Sequence, residues 1–342
     1  MVEITIRGAG IFGLSIAWEC LLRGALVRVV DPFGVGAGAS GGVVGALAPH
    51  VPENWNDKKA FQLDSLLAAE TFWNSVVAAG GLSPGYARTG RLQPVADERT
   101  LALARAREGS ARELWGDRAS WQVVRAGAEW APQSPTGWLI HDTLSARMHP
   151  RMAGRALAAA ITARGGEIVE QAPDEGRVIW ATGVADLDRI SAARGRTVGN
   201  GVKGQGAVLA HEARDLPQIY AEAVHIVPHE NGTVAIGSTS ERDYDDPSST
   251  DSQLDEVLER AFAAVPALRQ AEVVERWAGV RPRARSRAPM LGEHPLHPGQ
   301  FIANGGFKIG FGMAPGVARV MADLVLDGRD AIPEGFRVAA SL

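Results

Sequence analysis

The stretch ITIRGAGIFGLSIAWE, residues 4–19, decides the fold. Ile4-Thr5-Ile6 is a short β-rich run, Gly8-x-Gly10-x-x-Gly13 a glycine turn, and Ile16, Ala17, Cys20 and Leu21 the apolar face of a helix. In a strand–turn–helix unit the first glycine permits the turn and the second lets a pyrophosphate approach the backbone. The third lets the helix pack closely on the strand. Free N–H groups at the helix start then face the ligand's negative charge. The next β-rich run, Ala25 to Val30, closes on Asp31, where a carboxylate accepts hydrogen bonds from an adenosine ribose. Together these features predict a dinucleotide site. GAGASG at residues 36–41 fits the same spacing but follows Asp-Pro-Phe-Gly instead of a strand, so it reads as a flexible glycine loop.

With 342 residues, 46% of them hydrophobic, the chain exceeds the usual size of one domain, and two domains are expected. A charged fraction of 22% is that of a folded protein, and a net charge of −4 gives no general attraction to nucleic acid or anionic membrane. The single cysteine, Cys20, forms no internal disulfide and reads as a small core residue of the first helix. No secretory signal pattern precedes the first strand, and no run of roughly 18 apolar residues occurs. The expectation is a cytoplasmic protein with no transmembrane segment.

Farther along, residues 57–81 have helical apolar spacing and end in Gly80-Gly81, TGRLQPVAD at residues 89–97 resembles a short strand, and 98–115 reads as another helix. HPRMAGRALAAAITARGGEIVE then reads as helix, glycine stop and strand, the alternation that adds parallel strands to a sheet. Val178 to Ala181 form a buried strand ending in Thr182-Gly183. Two β-rich runs flank Asn231-Gly232, a hairpin signal. In NGGFKIGFGMAPGVARVMADLVLDG a glycine-rich turn precedes a helix expected to start near Met313, with Pro315 in its first turn and a stop at Gly328. Gly305, Gly306, Gly310 and Gly312 suit a backbone that approaches a flat ring.

These blocks, taken in order, resemble the D-amino-acid oxidase and glycine oxidase family of FAD-dependent oxidoreductases over nearly the whole chain. The resemblance rests on RGAGIFGLSIAWE, VVDPF, GASGGVVGALAPH, VIWATG, HIVPHENGTVAIGST, WAGVRPRARSRAPMLGEHP and NGGFKIGFGMAP. It implies non-covalent FAD, with the pyrophosphate cradled by Gly8, Gly10, Ile11, Phe12 and Gly13 and the ribose on Asp31, which Pro32 follows. Ala39 and Ser40, then Val44, Gly45 and Ala46, correspond to the stretch beside the phosphates and the flavin ring. Gly306, Phe307, Lys308, Ile309, Gly310, Phe311 and Gly312 correspond to the turn beside the flavin pyrimidine. Arg281 corresponds to the arginine that pairs with the substrate carboxylate, a task suited to a planar guanidinium fork. The other reading of Arg281 is one more solvated charge in the run Arg276, Arg283, Arg285 and Arg287.

Three departures bear on the substrate. His225 stands where relatives commonly carry a tyrosine, Lys308 occupies the place of a second substrate-side basic group, and Ser286 replaces a frequent aspartate. The segment between EIVEQ and VIWATG is also short, by about the length of one hairpin. His225 and His229, and His294 and His297, share no helical face and read as surface or loop histidines, so no metal site is expected.

The fold implied is α/β plus β: a discontinuous Rossmann-like FAD-binding domain (1–50, 143–190 and 278–342) with a mixed β-sheet substrate domain (51–142 and 191–277). The activity implied is oxidation of the C–N bond of an amino acid or N-substituted glycine to an imine, with oxygen or a quinone as electron acceptor. No strong general base is offered. Two other readings stand: an oxidase resembling the tRNA 5-methylaminomethyl-2-thiouridine biosynthesis enzyme, acting on a carboxymethylamino group of tRNA, and a non-catalytic flavin subunit of an amine dehydrogenase. The acidic net charge weighs against nucleic acid.

Overall fold

The computed structural model describes residues 3–127 and 129–342. Two large sheets organise it. The first contains β1 (Ile4–Arg7), β2 (Val27–Val30), β8 (Glu167–Val169), β9 (Arg177–Trp180), β15 (Met290–Glu293) and β16 (Phe301–Asn304), in the order β15-β16-β9-β1-β2-β8. All pairings in it are parallel except β15 with β16. Residues 170–176 connect β8 to β9 without a strand of their own, matching the short segment noted in the sequence.

Helices α1 (Ile11–Leu22), α4 (Pro150–Ala163) and α7 (Gly310–Asp327) pack around this sheet with α2 (Asp57–Gly80). α1 follows the glycine turn directly, and ten of its twelve residues are buried, so it is a core helix and not an amphipathic surface one. α2 is capped by the Asn56 side chain, which accepts from Lys59 N, and stops at Gly81 with φ 71°. α7 starts at Gly310 and not near Met313, because the turn Gly306–Ile309 closes first and Met313 N already donates to Ile309 O. Pro315 therefore lies inside the helix and not in its first turn. The neighbouring Gly316 N turns to Ser65 Oγ at 3.0 Å.

The second sheet runs β14-β10-β13-β12-β11-β4-β6-β5. Its members are β4 (Arg91–Pro94), β5 (Trp121–Arg125), β6 (Trp138–Asp142), β10 (Gly199–Ala210), β11 (Gln218–Ala221), β12 (Val224–Pro228), β13 (Thr233–Gly237) and β14 (Val273–Ala284). The hairpin signal at Asn231-Gly232 joins β12 to β13, and a second tight turn joins β11 to β12. Pro282 is accommodated because β14 is the edge strand. Helices α3 (Glu98–Trp115) and α6 (Ser252–Ala264) cover parts of this sheet, and α5 (Val184–Arg194) leans on β10 and β14. A two-stranded ladder, β3 (Ala46–Leu47) with β7 (Ala146–Arg147), lies between the two sheets in sequence and completes the strands.

Two of the histidines read as surface or loop residues are loop residues but lie in the interior. His229 and His294 are buried and not at the surface: His294 Nε2 meets Asp186 Oδ2 at 3.0 Å, and His229 Nδ1 meets Thr233 Oγ1 at 3.2 Å. Among the described residues, no helix is long and apolar enough to cross a membrane.

Candidate active site

The carboxyl end of β1 and the start of α1 open onto a cavity of about 880 Å³. It runs from Asp31 past the glycine turn to Arg281 on β14. β1 is flanked by β9 and β2, which places the cavity where strand order reverses, the expected crevice of an open parallel sheet.

At the nucleotide end, Gly8, Gly10, Ile11, Phe12, Asp31 and Pro32 all line the cavity. A methyl on Gly8 (φ +108°) would overlap the Ala181 carbonyl, and one on Gly13 the Gly8 carbonyl. Gly13 thus serves helix–strand packing and does not itself face the cavity. Gly10 is different: only Ser40 Oγ, at 3.3 Å, stands near its methyl position. Asp31 holds the turn, accepting from Ala9 N at 2.8 Å and Phe33 N at 3.0 Å. Ser40 Oγ accepts from Ile11 N at 2.9 Å, so the loop that formally repeats the glycine pattern is fastened to the start of α1. Ala39, Ser40, Val44 and Ala46 line the cavity, whereas Gly45 packs against Met148 where no side chain fits.

At the other end, Phe307 N donates to Pro282 O at 3.0 Å, tying the turn after β16 to β14. Gly305 (φ 75°) and Phe307 (φ 44°) take left-handed conformations, and Gly306 lies so close to the Phe12 ring that a methyl would come within 2.9 Å of it. Gly306, Phe307, Lys308, Gly310 and Phe311 line the main cavity. Ile309 and Gly312 line a side chamber of about 290 Å³ that shares Ala46, His225, Ser238 and Lys308 with it.

Arg281 is only 8% exposed. Its Nη2 donates to Ser238 Oγ and Thr239 O, both at 3.1 Å, while Nη1 is buried with no partner. Burial lowers its pKa to about 10, and Glu241 opposes that shift, so the group stays protonated. Glu241 is engaged elsewhere, with Thr239 Oγ1, with Gln205 Nε2 at 3.1 Å and with Lys203 Nζ at 3.6 Å. Lys308 is pushed down to about 8 by burial and by the Arg281 and Arg283 cations. Burial pushes His225 to about 3, leaving a neutral imidazole whose Nδ1 has no partner.

Several site residues escaped the sequence reading. Gly204 on β10 is where the Arg281 guanidinium lies, since a methyl there would overlap Nη2 and Cζ. Tyr220 on β11 pairs across from His225, ring centroids 4.7 Å apart, and lines the side chamber. Thr182, Gly183 and Val184 line the cavity at the start of α5; the VIWATG block at the end of β9 was the available signal.

The cavity suits a dinucleotide flavin. The starts of α1, α5 and α7 all reach it, and none has a capping side chain on its own N-cap residue; apart from Ile11 N, which donates to Ser40 Oγ, the N–H groups of their first turns have no side-chain acceptor among the described residues. Thr182 Oγ1, His225 Nδ1 and Arg281 Nη1, all belonging to lining residues, are buried polar atoms without partners. The model of the FAD-dependent oxidoreductases termed DAO matches residues 3–324. The chain belongs to that family. Its cofactor is FAD, which the glycine turn, Asp31, Ser40, the Thr182–Val184 corner and the Gly306–Phe311 turn would hold. Cys20 is 0% exposed inside α1, with its thiol pushed up to about 12 by burial, and offers no covalent attachment.

Similar proteins include a putative thiamine biosynthesis oxidoreductase ThiO of Rhizobium etli, 29% identical over 95% of this chain and 97% of that one. A glycine oxidase of Pseudomonas aeruginosa is 28% identical over 96% of both chains. The solved glycine oxidase of Geobacillus kaustophilus superposes with a TM-score of 0.84 at 22% identity, covering 98% of both chains.

Proposed function

We propose that the protein oxidises the C–N bond of a small amino acid or N-substituted glycine to an imine, which water then hydrolyses to an oxo acid and an amine or ammonia. One observation carries this reading: the buried Arg281 guanidinium faces the cavity without a carboxylate partner. An unpaired buried cation is costly, and a substrate carboxylate on its free edge relieves that cost with directed hydrogen bonds. Bound FAD supplies one thing, a two-electron acceptor for the α-hydrogen and its electron pair. Arg281 fixes the substrate's acid end, Ser238 and Thr239 fix Arg281, and the Phe307 ring stands beside it, its centroid 5.9 Å from the guanidinium carbon. No carboxylate lines the Arg281 end of the cavity, so the chain binds and orients and performs no carboxylate acid–base step.

In this reading residues 1–50, 143–190 and 278–342 serve the flavin, and 51–142 with 191–277 the substrate. We place the enzyme in the cytoplasm, in keeping with a lone cysteine and no internal disulfide, and assign oxygen or a quinone as electron acceptor. The relatives favour this reading over a tRNA substrate or a non-catalytic subunit. The test is anaerobic bleaching of the flavin by glycine, sarcosine, D-amino acids, L-proline and N-substituted glycines, with Arg281→Ala and Arg281→Lys alongside. The alanine variant should lose about 2–5 kcal/mol of transition-state binding, lysine should recover part, and both should keep FAD. Unchanged bleaching in both variants refutes the carboxylate clamp.

A further inference from the structure

The substrate end holds more positive charge than one carboxylate needs. Arg281 and Lys308 line the same cavity, and no carboxylate of the described residues lies within salt-bridge distance of either. The two cations feel each other, since Arg281 is among the groups that lower the Lys308 pKa. Lys308 also lines the side chamber of about 290 Å³, together with Arg91, His50, Tyr220 and His225. Arg91 is held there through Nε by the buried Asp142 at 2.9 Å, which fixes the guanidinium in place. His50 is pinned by Gln62, and burial depresses its pKa, so it adds a polar but neutral wall. No acidic residue lines this chamber.

A chamber of this size takes a group of several heavy atoms beyond the reacting carbon. Its lining selects the charge of that group: Lys308 is open to the cavity and has no acidic partner, so an occupant that covers it with an anion pairs its ammonium whereas a cationic or purely aliphatic one does not, and Arg91, already paired with Asp142, offers hydrogen-bond donors on its remaining nitrogens. We propose that the substrate carries a second acidic group, seated in the side chamber against Lys308 and Arg91 while Arg281 holds the carboxylate next to the reacting C–N bond. The substrate class is an amino or imino dicarboxylate, either an amino acid with an acidic side chain or a glycine whose nitrogen bears a carboxyalkyl group. This rests on the carboxylate-clamp reading of Arg281. It accounts for the lysine at position 308 by a task that a monocarboxylate would leave undone.

The experiment uses the FAD-loaded enzyme and two readouts. In the first, acetate, propionate, succinate and glutarate, none of which can be oxidised here, are titrated against the visible flavin spectrum. In the second, anaerobic flavin reduction compares glycine and sarcosine with iminodiacetate, aspartate and glutamate, both enantiomers of each amino acid. The proposal expects the best dicarboxylate to bind at least tenfold more tightly than the best monocarboxylate, and the best amino dicarboxylate to reduce the flavin with an at least tenfold higher ratio of reduction rate to Kd than glycine or sarcosine. Lys308→Met should collapse both ratios at least tenfold, and Lys308→Arg should restore most of them. Equal affinity for mono- and dicarboxylates overturns the proposal and leaves the Arg281 reading intact. So does a Lys308→Met variant that slows both substrate classes by the same factor, which would assign the lysine to the flavin or the fold. A flavin that responds to neither class overturns the Arg281 reading itself.

Discussion

Gly204→Ala tests whether position, and not charge alone, makes Arg281 a carboxylate clamp. Gly204 lies on β10, diagonally across the ladder from Arg281, which pairs with Val202. A methyl built there would overlap Nη2 and Cζ, and even Nε would lie 2.8 Å away. Carbon–nitrogen contact requires about 3.5 Å, so the guanidinium must withdraw by roughly 2 Å. Withdrawal forfeits the bonds from Nη2 to Ser238 Oγ and Thr239 O, both 3.1 Å, which aim the fork. The strand itself need not move, because the obstacle is the far end of a flexible side chain. A displacement of about 1 Å in a positioning group costs on the order of 100-fold in rate. The expectation is therefore a loss of about 3 kcal/mol in transition-state binding, bounded above by the loss in Arg281→Ala. Single-turnover anaerobic bleaching with the best substrate measures it, and the FAD-to-protein ratio checks that the cofactor site is intact. Parental bleaching in a variant with full FAD content would refute the argument that the guanidinium works from above Gly204.

The two glycines of the turn should separate cofactor binding from folding. Gly10→Val, which meets only Ser40 Oγ at 3.3 Å, should fold normally but purify without FAD, whereas Gly13→Val, which overlaps the Gly8 carbonyl, should lower the unfolding midpoint itself; absorbance and urea titration distinguish them. Acid precipitation of the wild-type protein should release all of its flavin to the supernatant, since Cys20 is buried; colour in the pellet contradicts this. Succinate affinity should be highest below pH 8 and weaken as pH rises through it, because the Lys308 ammonium, held at about 8, loses its charge there; an affinity flat to pH 9.5 removes Lys308 from the chamber's anion contact. His229, 0% exposed and held at about 3 by burial and by the neighbouring His149 and Arg147, should make stability fall with acid. The unfolded chain takes up that proton below about pH 6.5 and the folded one does not, so about 2 kcal/mol is lost by pH 5. His229→Gln should show a correspondingly smaller loss in urea midpoint between pH 7 and 5, and an identical loss would deny the buried neutral imidazole.

The nucleotide end was legible in the sequence for a physical reason. A pyrophosphate is met by backbone N–H groups, and the backbone can be reached only where consecutive residues lack side chains. The signal is therefore contiguous: Gly8 to Gly13 with Asp31 on the next strand, then Gly305 to Gly312. Even there the sequence overstated the ligand. Gly13 and Gly45 are glycines because carbonyls of Gly8 and Met148 press on them. Spacing alone does not distinguish a residue that must avoid a ligand from one that must avoid its own fold. The start of α7 was misplaced for a related reason: a proline near a helix start ordinarily marks the first turn, but the glycine turn before it had already closed.

The substrate end was poorly legible because its parts are assembled by sheet pairing across long sequence separations. Arg281 comes from β14, the glycine beneath it from β10, its hydrogen-bond partners from the residues after β13, and Lys308 from a turn docked on Pro282. None of these neighbours is near another in the sequence. The substitution of His225 for a tyrosine suggested a missing hydroxyl, yet antiparallel pairing of β11 with β12 sets Tyr220 beside it. Cross-strand partners on one face are within reach of each other's side chains, and Tyr220 lines the side chamber that shares His225 with the main cavity. The same logic makes Lys308 and Arg91 a pair. They stand far apart in the chain, and only the ordering of β4 next to β11, with the turn after β16 folded back over β14, brings both to one chamber. The position of the second cation relative to the first, and hence the length of the acid that spans them, is set by sheet order and not by any local motif.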